Sequence, residues 1–142
     1  MVLNTKRIFL MREIASNRRL FIADPNTLQR LEGLVALGLG VAAYGALGQS
    51  WWVFALLFFA PDLFMLGYLG GARTGALVYN LGHTYAAPAL LAVMGLAVGP
   101  LAFGIAAIWA GHIGFDRMLG YGLKLEEGFG VTHLGRVGKR GN

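Results

Sequence analysis

Residues 51–71, WWVFALLFFAPDLFMLGYLGG, decide the class of fold. Asp62 is the only ionisable acid or base in the run, and the rest is mainly apolar. A helix needs about 20 such residues to cross the hydrocarbon core of a bilayer. Working outward, stretches of the same kind occupy residues 29–48, 74–97 and 100–123. The connections GQS (48–50), GART (71–74) and VGP (98–100) are tight, and tight connections make antiparallel neighbours. The pattern predicts an all-α polytopic membrane protein with four transmembrane helices in an up-down bundle.

The rest of the chain agrees with that class. Only 13% of its 142 residues are charged, against about 25% in a soluble domain. Between Leu31 and Leu123 the charges are Glu32, Asp62, Arg73, Asp116 and Arg117, and the others lie in the two ends. Three segments follow: a basic cytoplasmic or interfacial arm (1–27), a four-helix transmembrane domain (28–123) and a cytoplasmic tail (124–142). In the arm, Ile8, Met11 and Ala15 fall on one helical face among basic residues, a pattern that suits an anionic leaflet surface. Asp24-Pro25-Asn26 reads as a turn before the first span. There is no cysteine, hence neither a disulfide framework nor a thiolate metal site.

Lysine and arginine set the orientation. They sit in residues 1–30, at Arg73 in the 71–74 turn, and at Lys124, Arg136, Lys139 and Arg140, whereas the 48–50 and 98–100 turns carry no charge. Both termini and the middle turn are therefore expected on the cytoplasmic side of the inner membrane. The net charge of +5 then reports orientation and not nucleic-acid binding. Gly67, Gly71 and Gly75, and likewise Gly95 and Gly99, have the spacing of small residues that let helices approach closely, within the chain or in a homodimer.

An ionisable group in lipid is costly and usually faces the bundle interior. The informative groups are Glu32, Asp62, Asn80, His83, His112, Asp116 and Arg117. At a rise of 1.5 Å per residue, Asp62 and His83 each lie about 14 Å from the cytoplasmic end of their span, Asp116 about 12 Å and His112 about 18 Å. His112 and Asp116 are one turn apart on one helix face. Asp62, His83, His112 and Asp116 are thus candidate ligands for zinc, manganese or iron. A polar network that merely ties the helices together is the alternative. Pro61 removes the backbone bond to the Leu57 carbonyl, and Pro88 frees that of Thr84. Kinks there would open room beside Asp62 and His83. Candidate catalytic groups are Glu32, Asn80 and Arg117. Arg117 either binds phosphate oxygens or snorkels to the interface. Glu32 is an acid, a partner for Arg117 or an interfacial residue. His133 reads as a structural residue of the tail.

The runs LEGLVAL (31–37), APDLFMLGYL (60–69), YNLGHTY (79–85), GHIGFDRMLGYGLK (111–124) and GFGVTHLGRVGK (128–139) resemble a small integral-membrane family known as domain of unknown function 4260. The likeness covers about residues 30–140 and implies no activity. A weaker likeness is to LexA-regulated inner-membrane metal-dependent hydrolases, in which Pro-Asp, a histidine segment and His-x-x-x-Asp follow in that order. It implies metal binding by Asp62, His83, His112 and Asp116. The sequence departs from that pattern: no second acid or histidine closely follows Asp62, and YNLGHTYAAP holds one histidine.

Three functions fit these residues. A membrane-embedded metal-dependent hydrolase would take a lipid-like substrate laterally from the bilayer. A haem-binding bundle would use His83 and His112 as axial ligands. A non-enzymatic transport or assembly protein would use the same groups as a relay or a structural network.

Overall fold

The computed structural model describes residues 6–8 and 24–137. Most of the basic arm, including Met11 and Ala15, lies outside the described residues. The chain is mostly helical. Helix α1 (Pro25–Ala46) starts within the expected turn, ahead of the span expected from residue 29. Asp24 is its N-cap, its carboxylate accepting from the Thr27 N–H at 3.1 Å, and Pro25 fills the first turn. Both choices suit a helix start, where the first N–H groups have no intrahelical acceptor.

The second stretch is helical from Trp51 to Gly70 but in two forms. Helix α2 (Trp51–Phe58) gives way to a 3-10 helix at Ala60–Gly70. The change falls at Pro61, which cannot donate to the Leu57 carbonyl. The kink expected from the sequence is thus a change of helix type, and the tighter winding rises about 2.0 Å per residue. Asp62 then lies about 18 Å from Gly71, farther than an α-helix would place it. The third stretch is broken. Helix α3 (Ala72–Gly82) and helix α4 (Ala86–Val98) are bent by 40° about residues 83–85. Helix α5 (Pro100–Leu119) stops short of the expected residue 123, because Gly120 adopts a left-handed conformation (φ 90°) and caps it. That cap leaves the Gly120 N–H on the Arg117 carbonyl and the Tyr121 N–H on that of Asp116, the pairing that closes many helix C-termini.

Beyond α5 the tail folds back as a small antiparallel ribbon, a departure from an all-helical chain. Strands β1 (Val131–Thr132) and β2 (Gly135–Arg136) pair, and Lys124 bridges to Thr132. His133 accepts from the Leu123 N–H through Nδ1 at 2.8 Å, a structural role.

Helix α5 is the hub. Helices α1, α2 and α4 pack on it, and the 3-10 helix pairs with α3. Glycine makes the closest approach possible. A Cβ at Gly33 would meet the Met118 nitrogen at 2.5 Å, and one at Gly114 would meet the Gly33 oxygen at 2.6 Å. Gly40 lies as close to Ala107, so α1 and α5 run antiparallel along their length. Gly67 and Gly75 receive Val78 and Tyr68 within the 3-10/α3 hairpin, and Gly95 receives Phe103. The small residues singled out in the sequence at these positions serve packing inside the chain.

The interior mixes apolar residues such as Ile108 and Ile113 with polar ones, and the exterior is largely apolar. His83, His112, Asp116 and Lys124 are buried, while Trp52 is 86% and Leu69 88% exposed. Among the described residues one helix, Trp51–Gly70, is long and apolar enough to cross a membrane, and the bent pair α3–α4 is a second if the two helices are counted as one span. Helices α1 and α5 are long enough, at 22 and 20 residues, but their charged residues lower their apolar character.

The α1–α5 contact has a direct test. Gly114→Val places a side chain against the backbone of α1, and overpacking of this kind costs about 1–3 kcal/mol or more. Thermal unfolding in detergent is expected to show a clearly lowered midpoint. Gly38→Ala, which meets nothing within 4 Å, is expected to leave the midpoint unchanged or raise it. Equal midpoints for the two variants would refute the close contact.

Candidate metal centre

Helix α5 presents His112 and Asp116 one turn apart, toward α3 and the 3-10 helix. His83 is the residue that ends α3, and Asp62 follows the proline that begins the 3-10 helix. The four residues expected from the sequence are brought together: one ligand atom from each lies within 4.8 Å of the others. His83 Nε2 is 3.3 Å from His112 Nε2, 3.7 Å from Asp62 Oδ1 and 3.6 Å from Asp116 Oδ2. His112 Nε2 is 3.5 Å from Asp62 Oδ1 and 4.0 Å from Asp116 Oδ2. Ligand bonds of about 2.0–2.2 Å in a tetrahedron place donors about 3.3–3.6 Å apart. The observed separations lie at or slightly above that range. The buried group can hold a metal ion.

The surroundings orient the donors. The Tyr79 carbonyl accepts from His83 Nδ1 at 2.9 Å. A carbonyl can only accept, so Nδ1 carries the proton and Nε2 turns a lone pair toward the group. The Tyr79 ring stacks on the His83 ring at 3.7 Å, and its hydroxyl donates to Asp116 Oδ2 at 3.0 Å. Phe58 and Phe59 meet the His112 ring edge-on. His112 Nδ1 is buried and finds no hydrogen-bond partner among the described residues.

The three candidate catalytic residues are placed as follows. Arg117 donates to the His83 carbonyl at 3.1 Å and to the Tyr121 carbonyl at 2.7 Å. Asn80 donates to the Lys124 carbonyl at 2.9 Å and accepts from the Lys124 N–H at 2.7 Å. Glu32 is exposed on α1, outside the metal-ligating group. Trp109 donates to the Gly82 carbonyl at 2.7 Å. Trp109 and Arg117, both on α5, thus satisfy carbonyls that the break after α3 would leave without partners.

A cavity of about 450 Å³ opens on Asp62, His112 and Asp116. Lys124, Tyr79 and Tyr121 also line it, together with Phe115, Leu119 and Phe129. Lys124 is the group that sequence reasoning missed, because it was read as a topology signal only. The usable sign was Gly120-Tyr121-Gly122, which turns the chain back after α5. Burial pushes the Lys124 ammonium below the usual lysine range, opposed by the Asp116 and Asp62 carboxylates.

The model of the family described as domain of unknown function (DUF4260) matches residues 26–137, and the chain belongs to that family. Neither the curated proteins nor the solved structures contain a match to the chain.

Arg117→Met removes two charge-assisted bonds to carbonyls, each worth about 1.5–3 kcal/mol. Chemical denaturation in mild detergent is expected to show a loss of about 2–4 kcal/mol. An unchanged midpoint would mean that the guanidinium does not hold the helix break.

Proposed function

We propose that this member of the family is an integral membrane protein holding one divalent metal ion through Asp62, His83, His112 and Asp116, and that it is a metal-dependent hydrolase acting on a lipid-like substrate. The observation that carries the reading is the set of donor separations, 3.3–4.0 Å between each imidazole and its neighbours. Two carboxylates and two neutral imidazoles carry two negative charges, which a divalent ion neutralises. Nitrogen and carboxylate donors together suit zinc, manganese or iron. A short separation between the two Nε2 atoms favours a compact ion over haem. Axial ligands stand opposite each other, at twice a metal–nitrogen distance of about 2 Å.

The cavity supports catalysis over a purely structural site, because three of the four donors border it. A metal bound there would supply Lewis acidity to a phosphoryl or acyl group and acidify a bound water. The chain's own residues divide the remaining tasks. Tyr79 fixes His83 and Asp116, while the apolar walls exclude bulk water.

Membrane embedding is supported by the exposed apolar surface, which far exceeds the scattered patches of a soluble monomer. The four helical stretches would then cross the bilayer, with both termini cytoplasmic. Two contacts support that arrangement. Arg73, in the middle turn, pairs with Glu126 of the tail at 3.4 Å. At the other end, Gln49 donates to the Pro100 carbonyl at 2.9 Å, joining the two uncharged turns. The glycine-lined faces between α1 and α5 are filled within the chain, so a homodimer would use other faces.

Elemental analysis of detergent-purified protein is expected to find about one metal ion per chain in the wild type. His112→Ala and Asp62→Ala, still helical by circular dichroism, are expected to contain almost none. Metal-free wild-type protein that gains no thermal stability from zinc, manganese or iron would sink the reading. Topology is tested separately with reporters inserted at 48–50, 71–74 and 98–100. Only the 71–74 insertion is expected to report a cytoplasmic location, and a cytoplasmic signal from all three would overturn the four-span arrangement.

A further inference from the structure

Lys124 is buried, at 5% exposure, yet among the described residues its ammonium has no ion pair within 4 Å and no hydrogen-bond acceptor, the Asp116 and Asp62 carboxylates acting on it only from farther away. Its neighbours are π faces: Nζ lies 4.1 Å from the centre of the Phe129 ring and 5.1 Å from that of Tyr79. Its backbone is fixed on both sides. Asn80 pairs with its N–H and its carbonyl, and Thr132 bridges to it from the ribbon. The next residue, Leu125, donates to the Val131 carbonyl at 2.9 Å. The tail therefore holds a buried cation at the wall of the cavity that Asp62, His112 and Asp116 also border. A buried charge is costly without a partner. Aromatic faces compensate it only in part.

We propose that Lys124 binds the phosphate anion of the substrate, so that the cavity takes a phosphate ester whose phosphate lies between Lys124 and the metal group. The inference rests on the metal-site reading for the position of the second contact, but the lysine's part stands on its own geometry. A lysine ammonium is a compact point charge suited to phosphate oxygens. Arg117 is not available for this task, since its guanidinium is engaged with two carbonyls. With a divalent ion offsetting the two carboxylates, Lys124 leaves the cavity with one positive charge. An anionic substrate group offsets it. The remaining walls, Phe59, Met65, Phe115, Leu119 and Phe129, are apolar and suit the organic part of the ester.

The test uses the full-length protein in detergent, metal content measured on each sample, with two probes: inorganic phosphate and short-chain phosphatidic acid. Equilibrium binding is expected to saturate with at least one probe. Lys124→Gln is expected to weaken it about tenfold or more, and Lys124→Arg to retain most of it, with metal content unchanged in both. Much tighter binding of phosphatidic acid assigns a lipid source, and equal binding of the two assigns a water-soluble one. Lys124→Gln binding as tightly as wild type, or failure of both probes to bind, overturns the proposal. If Lys124→Gln does not fold, wild-type protein decides. It has three lysines, and with ¹⁵Nζ-labelled lysine the Lys124 resonance, identified by its loss in Lys124→Arg, must shift on adding the probe that binds. An unmoved resonance overturns the proposal. Phosphate binding lost with Lys124 in protein that contains no metal would uphold the lysine's role and reject the metal site alone.

Discussion

The structure depends on an interrupted helix. Between Gly82 and Ala86 the chain stops being helical in the middle of the bundle, and a helix end there exposes carbonyl groups to a low-dielectric interior. Unpaired backbone groups in such a place cost several kcal/mol each. Helix α5 removes that cost, Trp109 binding the Gly82 carbonyl and Arg117 the His83 carbonyl. The same helix carries His112 and Asp116. One element therefore both permits the break and supplies half of the ligand group. The break in turn puts His83 at a helix end, where its ring lies back on Tyr79 and its Nε2 faces α5.

Close approach of α1 to α5 fixes the position of that element. Gly33 and Gly40 on one helix and Gly114 on the other bring the backbones together without intervening side chains. Packing of this kind rests on direct backbone contact and not on the burial of large apolar side chains. Many large apolar side chains are turned outward, and the volume inside holds Ile108, Ile113, Tyr44 and Tyr79 beside His83, His112 and Asp116. The arrangement leaves room for a polar cluster and an adjoining cavity.

Much of this was legible in the residues, and the illegible parts have physical reasons. Helical stretches separated by glycine-containing turns follow from apolar runs of bilayer length. Asp62, His83, His112 and Asp116 were identifiable because polar groups in an apolar run are few and helical rise converts sequence position into depth. The 3-10 winding after Pro61 was not legible, since a proline states only that one bond is lost and leaves open how the chain recovers. Arg117 was ambiguous for a related reason: its partners are backbone carbonyls, which leave no mark in a sequence. Lys124 was hidden because its burial comes from a ribbon of short strands with little alternation to read. The membrane reading was partial for the opposite reason, in that the polar groups that make α1 and α5 interesting also dilute their apolar character.

His112 Nδ1, without a partner among the described residues, bears on both accounts of the cluster. Without a cation, the 3.3 Å contact between the Nε2 atoms needs a proton shared between two imidazoles. With His83 protonated on Nδ1, the donor is either His112 Nε2 or, in a doubly protonated His83, its own Nε2. The first leaves His112 Nδ1 as a bare lone pair; the second puts an imidazolium 3.7 Å from Asp62 Oδ1 and 3.6 Å from Asp116 Oδ2. With a cation bound, both imidazoles would serve as ligands through Nε2, and His112 Nδ1 would bear a proton for which the described residues offer no acceptor, at a cost of about 1–3 kcal/mol. In the proposed metal site both carboxylates would be direct ligands, so the loss of either would damage metal retention more than any change at His112 Nδ1.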